Sequence, residues 1–175
     1  MGVGDRDIRV VDEMKYLTKK RQDIVRKMLH TKNLDIGSGE HPITKDSVIA
    51  DININGIDSC ELPYEDCSFD SITALEILEH LDMNSLLYTL HEIKRVLKPK
   101  GQFIMSVPNY SWYMRDFQNV SWWLRTHTTL HYDGNGHINM QPPQHYRSLL
   151  IHYGFEIQEE RRIFLYDYVI RAVRL

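Results

Sequence analysis

The chain has 175 residues, 42% of them hydrophobic and 26% charged, and carries a formal charge of −3 at pH 7. That length suits one domain around one core, and the near balance of charge lacks the basic face that a nucleic-acid footprint requires. Lys19-Lys20-Arg21 and Arg161-Arg162 read as solvated faces, and no run reaches the ~18 apolar residues of a membrane span. Without an apolar leader, and with Arg6 where an acylation signal needs Ser or Thr, the expected location is cytoplasmic. Cys60 and Cys67 are too widely spaced for C-x-x-C and are expected to be reduced and structural.

From Asp12 to about His30 the spacing is helical, with Met14, Leu17, Ile24, Val25, Met28 and Leu29 on one face. Tyr16 and Lys20 form Y-x-x-x-K within it, read as a chance match because that chemistry needs several strands before it. Leu34 and Ile36 end a short buried strand, and Gly37-Ser38-Gly39 turns the chain tightly. Asp35 and Glu40 put carboxylates at the mouth of that turn. They would repel a pyrophosphate and suit a ligand with a sulfonium and an ammonium group. A second strand, Ser47–Asp51, follows so soon that no three-turn helix fits between, and Pro42 can open one short turn.

Ser68–Leu75 is a third strand candidate. Asn84 or Asp82 can cap a helix over Ser85–Lys98, striped by Leu86, Leu87, Leu90, Ile93 and Leu97 and ended by Pro99. Gln102–Val107 is a buried strand, Gln144–Tyr153 looks helical, and Ile157–Phe164 with Tyr168–Val173 make a closing pair. Strands alternating with helices predict an α/β fold, a parallel sheet covered on both faces. Ligands of such sheets sit beyond the carboxyl ends of the strands. Gly37, Asp51, Asp58, Ala74 and Asn109 all fall there. Asp51, at the tip of the second strand, is placed to accept from both hydroxyls of a ribose.

Leu34-Asp35-Ile36-Gly37-Ser38-Gly39, Asp51, Asp58-Ser59-Cys60-Glu61-Leu62-Pro63-Tyr64, Leu75-Glu76-Ile77-Leu78-Glu79-His80-Leu81, Glu92–Pro99 and Ser106-Val107-Pro108-Asn109 resemble, in order, the class I S-adenosylmethionine-dependent methyltransferases. The likeness covers about residues 33–110 and is nearest to the group acting on small molecules and lipids. It implies a Rossmann-like, mostly parallel sheet of seven strands, or a reduced one, with helices on both faces and the last strand antiparallel. It implies one S-adenosylmethionine-binding domain over 1–175, with S-adenosylhomocysteine as product. Asp35, Gly37 and Gly39 would face the methionine part, with Ser38 and Glu40 of the same turn against it. Asp51 would hold the ribose beside Ile52, and Asp58 and Ser59 would flank the adenine. Ala74, Leu75 and Glu76 would floor the sulfonium. His41 replaces a third glycine and the first crossover helices are very short, so His41 or Lys45 would meet the cofactor carboxylate.

Residues 110–144 hold all three Trp, several other aromatics, and His127, His131 and His137. At the ligand edge of the sheet they read as a substrate lid, though the rings could equally cover the core or form a homodimer contact. No metal site is expected from these His. Methyl transfer from a sulfonium needs mainly an aligned acceptor. An oxygen acceptor also needs a base, for which His80 and His137 are the candidates. The expected activity is in-line methylation of a small-molecule acceptor. A non-catalytic S-adenosylmethionine-binding partner of the same fold, or a nicotinamide oxidoreductase, are the rival readings. Gln141-Pro142-Pro143 resembles an amine-methylation motif but lies far downstream of where that motif acts.

Overall fold

The computed structural model describes residues 8–109, 138–139, 141–163 and 167–175, with side chains from residue 15 onward. Helix α1 (Ile8–Arg26) opens the chain, four residues earlier at each end than the apolar spacing predicts. Strands β1 (Asn33–Ile36), β2 (Val48–Ala50) and β3 (Phe69–Leu75) follow, then a 3-10 turn at Leu78–His80 and α2 (Met83–Val96). Strand β4 (Leu97–Pro108), α3 (Pro143–His152), β5 (Phe155–Ile163) and β6 (Asp167–Arg174) complete the described elements.

The strand order is β2-β1-β3-β4-β6-β5. β2, β1, β3 and β4 pair in parallel, and β6 runs antiparallel between β4 and β5. The described residues thus form the Rossmann-like sheet in its reduced, six-stranded form. Alternation along β4 explains the layers. Phe103, Met105 and Val107 join a core with Leu86, Leu90 and Ile93 of α2 and Tyr146 and Leu150 of α3. Ile104 faces the opposite way, onto Val25 of α1, Ile43, Ile163 and Val169. A strand buried on both faces reads as a near-continuous apolar run, interrupted in β4 by the buried Ser106.

Asp82 caps α2, accepting from the backbone N–H groups of Asn84 and Ser85. The helix ends at Val96, not Lys98, because Pro99 biases the residue before it towards extended backbone and Leu97 is already extended. Pro142 precedes α3 and Pro143 opens it, so this Pro pair is a helix start.

The first two crossovers contain no helix, where very short ones were expected. Single residues fill those places. After β1, Ile43 is 2% exposed and fills the gap over the sheet. After β2, Leu62 is buried, and its loop is clamped by α2. Glu92 accepts from the Leu62 N–H (2.9 Å), and Arg95 donates to the carbonyls of Leu62 (2.9 Å) and Tyr64 (2.7 Å). Loop backbone without a helix still needs its polar groups paired, and the Glu92–Arg95 pair (2.7 Å) does this.

Candidate active site

Gly37 leaves β1 with φ +67° and its N–H donates to the Ala50 carbonyl (2.9 Å), which locks the tips of β1 and β2 together. A Cβ at Gly37 would lie 2.5 Å from Cγ1 of Ile77. Two cavities meet at this glycine. One, of about 220 Å³, is lined by Thr18, Arg21, Gln22, Ser38, His41 and Leu75 on the α1 side. The other, of about 260 Å³, is lined by Asp51, Ile52, Asp58, Ser59, Cys60 and Leu81. Together they make a bent crevice beyond the carboxyl ends of the parallel strands.

The expected site residues divide unevenly over this crevice. Asp51 is 8% exposed, and its carboxylate accepts from the N–H of Gly39 (2.8 Å) and of Asn53 (2.9 Å). Each oxygen keeps acceptor capacity. Ile52 is exposed, Asp58 stands at the cavity rim, and Ser59 bonds Thr89 at 2.9 Å. Asp35 lines the other cavity, but both its oxygens are engaged, by the Ile43 N–H and the Thr73 hydroxyl, each at 2.6 Å. Burial pushes the Asp35 carboxyl up from its ordinary value. Its clearest structural task is to hold the helix-free crossover onto β1. His41 is exposed at the cavity lining, while Glu40 and Lys45 are exposed and line neither cavity. Ala74 is fully buried within β3. Leu75 lines the α1-side cavity. His80 lies beside Glu79, their nearest charged atoms 4.0 Å apart. His137 and the lid from Tyr110 onward fall outside the described residues, apart from Ile138, Asn139 and 141–144.

Asp51→Ala is expected to weaken S-adenosylhomocysteine binding at least tenfold in calorimetry, since charge-assisted bonds contribute ~1.5–3 kcal/mol each. Losing the Gly39 and Asn53 bonds should also lower the melting temperature by a few degrees. Unchanged affinity would reduce Asp51 to a turn residue.

A buried ionic group beside the crevice joins Glu76, expected at the sulfonium floor, to Arg21, Glu79 and Asp167, to which the sequence reading gave no site role. Arg21 of α1 has a side chain only 12% exposed, not a solvated one. Its Nη1 lies 2.8 Å from Asp167 and 3.5 Å from Glu76. Glu76 follows β3 with φ +56°, a left-handed conformation unusual for a residue with a Cβ. Its carboxylate accepts from the Ser106 hydroxyl at 2.7 Å. Burial pushes Glu76 up to about 7, against the opposing pull of Arg21. Glu79 is wholly buried, and burial, then the neighbouring Glu76 charge, push it up to about 9. A signal for Arg21 was present: it lies on the apolar stripe, four residues after Leu17 and four before Val25. A cation inside such a stripe is a buried cation.

A crevice at strand tips, split by a left-handed glycine with a carboxylate on the second strand, defines a nucleoside-binding α/β protein. A family model described as "Methyltransferase domain" matches residues 12–160. The chain belongs to the class I S-adenosylmethionine-dependent methyltransferases, and its cofactor is S-adenosylmethionine. Solved structures share the fold. An S-adenosylmethionine-dependent methyltransferase from Methanosarcina mazei is 19% identical, with a TM-score of 0.69 over 87% of this chain and 97% of that one. The 1,6-didemethyltoxoflavin-N1-methyltransferase of Burkholderia thailandensis, crystallised with S-adenosylhomocysteine, is 16% identical, with a TM-score of 0.65 over 96% and 82%. A putative methyltransferase of Haloferax volcanii, in complex with the Trm112 activator, is 18% identical, with a TM-score of 0.59 over 98% and 99%. No curated protein matches the chain. Among the described residues no helix is long and apolar enough to cross a membrane.

Proposed function

We propose that this methyltransferase acts on a small-molecule acceptor, binding the cofactor across Gly37 with the adenosine towards Asp51 and the methionine part towards Arg21. The two cavities and the absent Cβ at their junction suit a bent ligand of that kind. When bound, the cofactor supplies a methyl group already activated on a sulfonium, so the protein's task is mainly alignment. Asp51 takes the ribose hydroxyls. Arg21, with His41, is the cation beside the methionine cavity, where Lys45 was the other expected partner.

The observation that carries the small-molecule reading is the acidic ground next to Leu75. Glu76 and Asp167 share a single guanidinium there, beside a buried and neutral Glu79, so the group is net negative once Glu76 ionises. Such a site repels phosphate-rich chains. The Burkholderia neighbour, named for methylating a small heterocycle, supports the same reading. No observation favours a non-catalytic role. S-adenosylhomocysteine at 100 times its dissociation constant should stabilise the chain by ~2.7 kcal/mol, read as a rise in melting temperature. No shift at millimolar ligand, or a shift with NAD instead, would sink the assignment. Methyl incorporation into low-molecular-weight extract, and not into RNA or protein, tests the acceptor class.

A further inference from the structure

We propose that the acceptor is a basic amine that enters as its ammonium ion, and that the Glu76 carboxylate takes its proton. This rests on the methyltransferase reading above. It replaces His80 and His137 as the base with a residue built into the end of β3.

The first support is position. Glu76 directly follows Leu75, which lines the α1-side cavity. Its left-handed backbone turns the chain out of the sheet at the strand tip. The carboxylate is held from two sides, by the Ser106 hydroxyl of β4 (2.7 Å) and by Arg21 of α1 (3.5 Å).

The second support is a set of buried polar atoms left without partners. Among the described residues neither carboxylate oxygen of Glu79 has a hydrogen bond, although the residue is 0% exposed; His80 Nε2 stands 4.0 Å away. Asn139 is fixed beside Glu79: its N–H donates to the Glu79 carbonyl (2.9 Å), and its own carbonyl accepts from the Tyr146 hydroxyl (2.8 Å). Unsatisfied buried groups are costly, and a ligand with several N–H donors would pair with Glu79.

The third support is charge. The groups acting on Glu76 are Arg21 from α1, Glu79 from the 3-10 turn, Ser106 from β4, Tyr146 from α3 and Asp167 from β6, with His80 standing 4.0 Å from Glu79. Arg21 is already shared between Asp167 and Glu76, and Glu79, raised to about 9, is neutral at pH 7, so ionisation of Glu76 leaves one negative charge uncompensated. An ammonium supplies the missing positive charge, whereas a carboxylate or phenolate would add to the repulsion. Glu76, raised to about 7, is poised to exchange a proton near neutral pH. In the reaction one ammonium N–H breaks and its proton goes to Glu76. The freed lone pair then forms the N–C bond to the methyl group as the C–S bond breaks. The electrons of that bond stay on sulfur, leaving a neutral thioether and a methylated ammonium.

The test uses the whole chain saturated with S-adenosylhomocysteine. Benzylamine, phenethylamine and N-methylbenzylamine are compared by calorimetry with benzyl alcohol, phenol and benzoate, and methyl transfer from S-adenosylmethionine is followed by mass spectrometry. The expected result is at least tenfold tighter binding of the amines, with affinity rising as pH rises through about 7 where Glu76 ionises. Glu76→Gln should abolish the preference and flatten the acid limb. Ser106→Ala, which removes one hydrogen bond to the ionised carboxylate, should move that limb to higher pH. Melting temperature and S-adenosylhomocysteine binding report whether each variant is folded. Amines binding no better than the alcohols, methylation of phenol instead, or a Glu76→Gln variant with an unchanged pH profile would overturn the proposal. Failure to bind S-adenosylhomocysteine at all would instead overturn the parent reading.

Discussion

Gly37→Ala is expected to abolish S-adenosylhomocysteine binding and to cost the free protein about 2–5 kcal/mol. Two terms add. An L-residue in the left-handed region costs ~1–2 kcal/mol, and Gly37 sits at φ +67°. The new methyl would also lie 2.5 Å and 2.7 Å from Cγ1 and Cδ1 of Ile77. Relieving such overpacking costs ~1–3 kcal/mol. At this chain length the sum lowers the melting temperature by roughly 4–20 °C. Gly39→Ala is the internal control. It has φ +58°, but its Cβ would meet nothing within 4 Å, so only the backbone term applies. If the two variants melt together, Ile77 yields freely and the crevice is not shaped by that contact.

The free protein should lose stability as pH rises from 6 to 8, by roughly 2–4 kcal/mol. Glu79 and Glu76 have folded-state values near 9 and 7, both above the 4.5 of an ordinary glutamate. A carboxyl raised by folding binds its proton more tightly in the native state than in the unfolded chain. Its contribution is complete below the unfolded value and is lost as pH climbs through the folded one. Each group still titrating removes ~1.4 kcal/mol per pH unit. Glu92, lowered mainly by its bond to Arg95, acts with the opposite sign and only in acid, outside this window. Chemical denaturation at pH 6, 7 and 8 measures the slope. Glu79→Gln keeps the shape without the ionisation and should flatten it. A flat profile in the parent protein would mean that Glu79 and Glu76 are solvated.

Much of this was legible in the sequence for identifiable reasons. Leu34, Ile36 and the alternation along β4 announce buried strands, and the glycine turn marks where the crevice must open. That no three-turn helix fits between Ile36 and Val48 was readable from spacing alone, though the short turn expected at Pro42 is not helical. What replaces it was not, because a single buried side chain such as Ile43 has no periodicity to detect. Leu97 was assigned to the helix because the apolar stripe continues through it, but Pro99 decides the backbone two residues earlier. Arg21 was misread because its neighbours Lys19 and Lys20 are exposed, and a charge run hides the one member that faces inward. Glu79 and Asp167 come together only through the sheet order, which places β6 beside β4. No local pattern brings residues 79 and 167 into one argument.

The missing crossover helices change what the cofactor is to this protein. β2 is three residues long and forms an edge of the sheet, held beyond its ladder by side-chain ties from Asp51 and Asn55 and the Gly37 amide. In a fold with full crossovers, packed helices would keep that margin shut. Here few apolar contacts resist its opening, so it belongs among the least protected parts of the chain. Under the proposed placement, with the adenosine in the cavity lined by Ile36, Ile57 and Ile77, the nucleoside would supply the apolar area that a helix would otherwise give. The cofactor would then serve as a removable structural element, and each turnover, by exchanging product for fresh donor, would briefly take away part of the enzyme's own architecture.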